Sequence, residues 1–587
     1  VQVNPPWEFL KTPGGFAPID SISLAGRVVH VNADRTVIPI SVPAAFGAMS
    51  FDQGNVTDLL RTGSMPSARS AADPHGLASA VLSYELRLGP KSDSVISIAI
   101  PLHDAPPACM KRGSINSCTE RWAAAQLDST TAKWSFDLGH IAITLPNSAS
   151  RITESIRANL AYILINRDGP SIQPGSRSYE RSWIRDGSLT SAALLRLGHA
   201  KEVREFIDWY AGYQFENGKI PCCVDARGSD PVPENDSNGE FIYLVAEYFR
   251  HTGDTAMLVR MWPHVEKAVV FMDSLRRSRM TAEFQAPDKK VFYGLLPQSI
   301  SHEGYSAKPM HSYWDDFFAV RGFKDATEIA QILKKPETAR YAAIRDEFDS
   351  DVQKSIVLAM KNHNIDYIPG AAELGDFDAT STTIGLNPAG ELGGPLDAAF
   401  RRTFDRYYDE FTKRRDGTKP WDAYTPYEWR VVGSFIRLGQ RNRAQDLVNF
   451  FFEGQRPKEW HQWAEVVWHN KDTANFIGDM PHTWVGSDYI RSVLDMFAYE
   501  RDSDSSLVIA AGVPGNWIDE ENGLSINRLS THYGPLSYSM HRSAKGIEVR
   551  IEDGLRIPRG GIVIQAPGSL EMKITSLPAN VILKPGR

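Results

Sequence analysis

The hydrophobic period changes twice along this chain, and those changes constrain its architecture more than any single motif. Up to about residue 145, apolar and polar residues alternate between Gly, Pro and Asp breaks. Leu82, Tyr84, Leu86 and Leu88 form one such stripe, and VISIAI at 95–100 reads as a strand apolar on both faces. From about residue 150 the period becomes helical. Phe241, Leu244, Val245, Tyr248 and Phe249 share one face ahead of Gly253, and Val431, Val432, Phe435 and Ile436 share another ahead of Gly439. About a dozen such segments run to residue 500, paired by short loops with no strands between them. Beyond residue 505 the period returns to two: Leu536, Tyr538 and Met540, then Ile547, Val549 and Ile551, alternate with polar residues. The pattern predicts a multidomain α and β protein. An N-terminal β-sandwich domain covers 1–145, a domain of helical hairpins closed into a ring covers 150–502, and a C-terminal β-rich domain covers 505–587.

At 587 residues the chain exceeds what one ordinary core organises. Its 64 Lys and Arg stand against 71 Asp and Glu, a formal charge of -7, which argues against nucleic acid and anionic membranes as partners. No run of about 18 apolar residues occurs, so no membrane insertion is expected. The opening VQVNPPWEFL lacks the basic start and apolar stretch of a signal peptide. Either the chain works in the cytoplasm or a leader has been removed. Cys109 and Cys118 bracket the short polar loop MKRGSINS and are expected to form a disulfide, which suits a periplasmic or secreted protein. The adjacent Cys222 and Cys223 read as buried free thiols. No CxxC pair, HExxH or GxxxxGK[ST] is present, so neither a metal site nor a cofactor is expected.

The 14 Trp and 20 Tyr crowd near acidic residues in mid-chain, a mixture that suits carbohydrate, since sugar faces stack on rings while hydroxyls bond carboxylates. Four loops concentrate it. RSWIRDGSLT at 181–190 carries Trp183, Arg185 and Asp186; an N-cap reading of the Asp stands beside a sugar-binding one. PVPENDSNGEF at 231–241 carries Glu234, Asp236 and Glu240, more carboxylates than a helix dipole explains. HSYWDDFFAV at 311–320 carries Trp314, Asp315 and Asp316, of which one Asp can cap a helix from Phe317. EWHQWAEVVWHN at 459–470 places Glu465 among Trp463, Trp468, His461 and His469. In LGDFDATST at 374–382, Asp376 and Asp378 serve either a site rim or an Asx-turn. Two carboxylates in separate Trp-rich loops are what acid/base glycoside hydrolysis requires.

The order of these segments resembles the six-hairpin, (α/α)6-barrel glycosidases, most closely the bacterial type of the glucoamylase and glucodextranase family. SWIRDGSL is similar to that family's W-x-R-D segment, which implies that Arg185 and Asp186 hold the non-reducing sugar while Trp183 supplies a wall. ENDSNGEFIY lies where the family carries its general acid, implying Glu234, with Asp236 and Glu240 as alternatives. WAEVVWHNK followed by MPHTWVGSDYI is similar to the segment bearing the catalytic base and a following T-W helix, implying Glu465, Thr483 and Trp484. The resemblance implies an exo-acting, inverting hydrolase that releases glucose from α-linked gluco-oligosaccharides or glucans. Asp236, Trp314, Asp315, Asp316, Trp463 and Trp484 join the substrate-binding set. The alternatives are a same-barrel enzyme for another sugar, rhamnosidase-like, a disaccharide phosphorylase, or a non-catalytic carbohydrate-binding protein.

Overall fold

The structure is a computed structural model that describes residues 18–101, 107–110, 118–302, 304–472, 475–520 and 523–584. The chain forms two compact units, residues 1–137 and 138–587. In the first, Ser21–Ala25, Val28–Val31 and Arg35–Pro39 make an antiparallel meander edged by Ser70–Ala72 and Ile98–Ala99. Ala45–Met49 pairs separately with Ser79–Ser83. Among the described residues two α-helices accompany these strands, α1 (Val56–Arg61) and α2 (Glu120–Asp137), and Cys109 and Cys118 are disulfide-bonded.

This unit departs from the alternation read in the sequence. The strand of the Leu82 stripe stops at Ser83, leaving Leu86 and Leu88 exposed, and in VISIAI only Ile98 and Ala99 are paired, with Val95 and Ile100 exposed. A period of two becomes a strand only where a neighbour supplies its hydrogen bonds. Helix α2 lies in a region expected to be β. Its sequence, ERWAAAQLDSTTAKWSFD, is rich in helix formers and buries none of its residues, so propensity rather than an apolar stripe specifies it.

The second unit begins with twelve helices: α3 (Ser150–Asn166), α4 (Ile184–Arg196), α5 (Ala200–Ala211), α6 (Ser237–Thr252), α7 (Thr255–Arg277), α8 (Tyr313–Ile332), α9 (Thr338–Asn362), α10 (Ala379–Leu386), α11 (Asp397–Arg415), α12 (Trp429–Arg437), α13 (Arg441–Phe452) and α14 (Thr483–Phe497). Helices α4, α6, α8, α10, α12 and α14 each pack on the next, and α14 packs back on α4, closing a ring. The other six lie against them: α3 on α14, α5 on α4 and α6, α7 on α6 and α8, α9 on α8, α11 on α10 and α13 on α12.

Composition separates the two layers. Every residue of α4 and of α14 is buried, whereas α5 buries Val203, Phe206, Ile207, Tyr210 and Ala211 and leaves Lys201 and Arg204 outside. Between α6 and α8 the backbones touch: a Cβ on Gly239 would stand 2.2 Å from the Phe318 carbonyl oxygen, and one on Gly322 would stand 2.7 Å from the Gly239 Cα. Gly253, at φ 69°, ends α6, and the Asp254 side chain then accepts the Met257 N–H to start α7.

Short strands do interleave with these helices, contrary to the sequence reading. Ser182–Trp183 pairs with Cys223–Asp225, and Ala423–Tyr424 with Val467–Trp468. They are too short to show a period, yet they pin the loops ahead of α4 and α14. After α14, Ala498–Arg501, Ser506–Ile509, Ile562–Ile564 and Met572–Ile574 form one sheet. Leu524–Thr531, Gly534–Ser543, Gly546–Ile551 and Ala579–Leu583 form another, with Ala142–Thr144 on its edge and α15 (Gly515–Asp519) alongside. The predicted stripe of Leu536, Tyr538, Met540, Ile547, Val549 and Ile551 is buried. Among the described residues no helix is long and apolar enough to cross a membrane.

Candidate active site

The N-terminal ends of the inner helices converge on a cavity of about 290 Å³. Trp183, Arg185 and Asp186 reach it from the start of α4, Trp314 from α8, Thr380 and Ser381 from α10, Tyr427 from the turn before α12, Arg430 from α12, His482 from the N-cap of α14 and Trp484 from α14 itself. Glu465 enters from the loop before α14. Helix starts present unpaired N–H groups and positive dipole ends, so their convergence makes a concave polar site.

The floor is a buried charge cluster. Arg185 Nη1 donates to Glu234 Oε2 at 2.5 Å and to Asp236 Oδ2 at 3.4 Å, and its Nε stands 3.9 Å from Asp186 Oδ2. Burial alone would weaken the basicity of Arg185, but Glu234, Asp236 and Asp186 outweigh it and hold the guanidinium charged. Asp236 occupies the N-cap position of α6 without capping; its Oδ2 instead accepts the Trp314 Nε1–H at 2.8 Å. Arg430, ion-paired to Asp488 at 2.9 Å, lies over the rings of Trp314 and Trp484, and Arg185 also lies over Trp484.

One wall carries Glu465. Tyr179 Oη donates to its Oε2, Tyr427 Oη donates to its Oε1 at 3.0 Å, and His482 Nε2 stands 4.0 Å from Oε2. Burial, then the Glu465 charge, pushes the Tyr427 phenol well above its ordinary range, keeping it a donor. Burial pushes the His482 imidazole down against the opposing pull of Glu465 and Asp479, so the ring is neutral. Its Nδ1 accepts the Val485 N–H at 3.4 Å, which leaves the proton on Nε2, facing Glu465. Asp479 fixes Tyr179 in turn, accepting the backbone N–H groups of Arg177, Ser178 and Tyr179 at 2.9, 3.1 and 3.1 Å. The rim holds His302, 2.9 Å from Ser381 Oγ, with Asp378, which both caps α10 and faces the cavity. Asp376 is turned away, accepting the Tyr305 hydroxyl at 2.9 Å.

Of the residues singled out in the sequence, Trp183, Arg185, Asp186, Trp314, Asp378, Glu465 and Trp484 line the cavity. Asp186 is not an N-cap: Trp183 holds that position and Asp186 lies in the first turn of α4. Glu234 and Asp236, both buried, sit directly behind Arg185. Glu240 lies deeper in α6; its oxygens have no hydrogen-bond partner among the described residues, and burial, with Asp236 next, raises its carboxyl well above the usual range.

Asp315, Asp316 and Trp463 lie outside the cavity wall. Helix α8 starts at Tyr313, so both aspartates fall within its first turn and neither caps it from outside. Asp315 accepts the Ser301 hydroxyl at 2.8 Å, and Asp316 accepts the Leu296 N–H at 3.0 Å. They anchor the 296–301 loop. Burial pushes the Asp316 carboxyl up to about 8. Trp463 is core: its Nε1 donates to the Phe451 carbonyl at 2.7 Å and its ring packs on Trp429 and Tyr489. Tyr179, Tyr427, Arg430, His302 and His482 were not picked out from sequence, although His482 lies inside the MPHTW segment and Tyr179 just before the W-x-R-D segment.

No protein-family model matches this chain, and no curated protein does either. Among solved structures it is similar to a bacterial glucoamylase complexed with acarbose, with a TM-score of 0.56 and 13% identity over 81% of this chain and 74% of that one. It is also similar to the GH78 family rhamnosidase of Bacillus sp. GL1, with a TM-score of 0.50 and 11% identity over 73% of this chain. The chain spans 43% of that rhamnosidase's length. At these identities the likeness is one of fold, and at that level it agrees with the resemblance carried by the motifs.

Proposed function

We propose that this protein is an exo-acting glycoside hydrolase on an (α/α)6 barrel, flanked by an N-terminal β-sandwich and a C-terminal β domain. The observation that carries the reading is that Glu465, oriented by two phenols, shares one cavity with Arg185 and Asp186, and that Glu234 and Asp236 are bonded to the same guanidinium. Carboxylates and indoles facing an enclosed space are suited to a sugar ring. A volume near the low end for ligand sites favours cleavage at a chain end. Glu465 acts as the base that deprotonates water, and Glu234 as the acid that protonates the leaving oxygen, with inversion at the anomeric carbon. Arg185 and Asp186 bind hydroxyls, and Trp183, Trp314 and Trp484 form apolar walls.

For Glu234 to act, Arg185 exchanges part of its hydrogen bonding onto the sugar. Asp236 is the second candidate acid, because the two donors that hold it, Arg185 and Trp314, both belong to the cavity wall. The fold likeness to the glucoamylase supports α-linked glucosides as first substrates, and the likeness to the rhamnosidase supports rhamnosides as the second reading. A carboxylate at the water-activating position favours hydrolysis over phosphorolysis. The Cys109–Cys118 bridge supports a periplasmic or secreted setting. Incubation with α- and β-linked oligosaccharides, with and without inorganic phosphate, tests this reading: free sugar independent of phosphate supports it, and binding without turnover across the panel rejects it.

A further inference from the structure

Roughly 20 Å along α6 from its cavity end, two imidazoles and a carboxylate meet. Glu247 and His251 stand four residues apart on α6 and share a face. His532 arrives on the turn between the strands Leu524–Thr531 and Gly534–Ser543. Its Nε2 lies 3.1 Å from Glu247 Oε1, and His251 Nε2 lies 3.6 Å from the same oxygen. One donor atom from each of the three residues falls within 4.8 Å of the other two.

The surroundings leave those atoms facing one another. His251 Nδ1 bonds Ser530 Oγ at 2.9 Å, so with that nitrogen carrying the proton the Nε2 lone pair points at Glu247. Arg250 takes the other oxygen of Glu247, Oε2, at 3.4 Å. The His532 N–H donates to Glu500 Oε1 at 3.0 Å, which fixes the turn. Donors about 2.0–2.1 Å from a tetrahedral ion stand about 3.4 Å apart, a spacing bracketed by the two contacts to Glu247. Glu247 and His532 line a cavity of about 110 Å³, and His251 and His532 line a neighbouring one of about 610 Å³. An ion therefore has an entry path and a fourth position open to water.

We propose that Glu247, His251 and His532 form a binding site for a divalent transition ion of the zinc type, which ties the end of α6 to the Thr531–Gly534 turn of the C-terminal sheet. Two imidazoles and one carboxylate select such an ion over magnesium or calcium, which prefer all-oxygen shells. Sequence inspection for HExxH and CxxC passes over it, because the pair is spaced Glu-x-x-x-His and the third ligand lies 281 residues beyond His251 (532 − 251). Among the described residues one other set competes, Cys222, Cys223 and Asp230, whose donor atoms also cluster within 4.8 Å.

Calorimetric titration of chelator-treated protein with zinc chloride tests the proposal. One saturable site is expected, together with a melting temperature that rises with zinc concentration. His532→Ala and His251→Ala should each weaken binding by more than the roughly 10–100-fold that loss of an outer-shell partner costs. The Cys222→Ser/Cys223→Ser double variant should bind as the parent does, and the cobalt(II) form should lack a thiolate charge-transfer band. His532 lies on a partly exposed turn, so His532→Ala decides the matter if His251→Ala fails to fold. Absence of saturable binding, unchanged affinity in His532→Ala, or loss of the site in the double serine variant would overturn the assignment.

Discussion

At the residue scale, what separates a group that acts on a ligand from one that supports the fold is which way a first-turn side chain faces. Trp314 and Asp316 are two positions apart at the start of α8, yet Trp314 lines the cavity and Asp316 turns back to the Leu296 N–H. Asp186→Asn should therefore lower kcat/KM by on the order of 10–150-fold, the worth of a hydrogen bond to a charged group, while melting within a few degrees of the parent; steady-state kinetics and thermal melts check both. Asp316 carries a stability prediction with a definite sign. Its carboxyl is raised from 3.8 to about 8 in the folded protein, so unfolding releases a proton between those values and stability is lost as pH rises across that window. Asp316→Asn removes the titration. The melting temperature of the variant minus that of the parent should grow from pH 4 to pH 8, and a difference constant with pH would contradict the burial argument.

At the element scale, the ring depends on close approach as much as on apolar stripes. Gly239→Ala drives a methyl into the Phe318 carbonyl on α8, so α6 must shift; a loss of about 1–3 kcal/mol in urea unfolding is expected, and an unchanged midpoint would mean the helices separate at no cost. The stripes of α6 and α12 were legible because their residues repeat at the helical period and stop at Gly253 and Gly439. Helix α2 was not, since nothing in its sequence points at a core, and neither were the two-residue strands that hold the cavity loops. The cavity itself was half legible. Trp, Arg, Asp and Glu near helix starts brought out Trp183, Arg185, Asp186, Trp314, Asp378, Glu465 and Trp484. Tyr179 and Tyr427 escaped because a tyrosine bears no local mark of the carboxylate it meets: they lie 286 and 38 residues from Glu465 in the chain. Asp315, Asp316 and Trp463 carried the same residue types but face the interior.

At the scale of the whole molecule, five helix starts drawn from more than 300 residues of chain line one polar cavity, while the far end of α6 meets the C-terminal sheet. In the proposed mechanism Glu465 activates the water. Glu465→Gln should lower kcat by about 10²–10⁴-fold with binding of the intact oligosaccharide largely preserved, because the base acts on water rather than holding the sugar. The most direct test of the proposed mechanism is proton NMR of the first-formed product from a substrate that the parent protein turns over, run beside Glu465→Gln. Release of the sugar with inverted anomeric configuration and near-complete loss of turnover in the variant are expected; release with the substrate's own configuration, or normal turnover by Glu465→Gln, would contradict the mechanism.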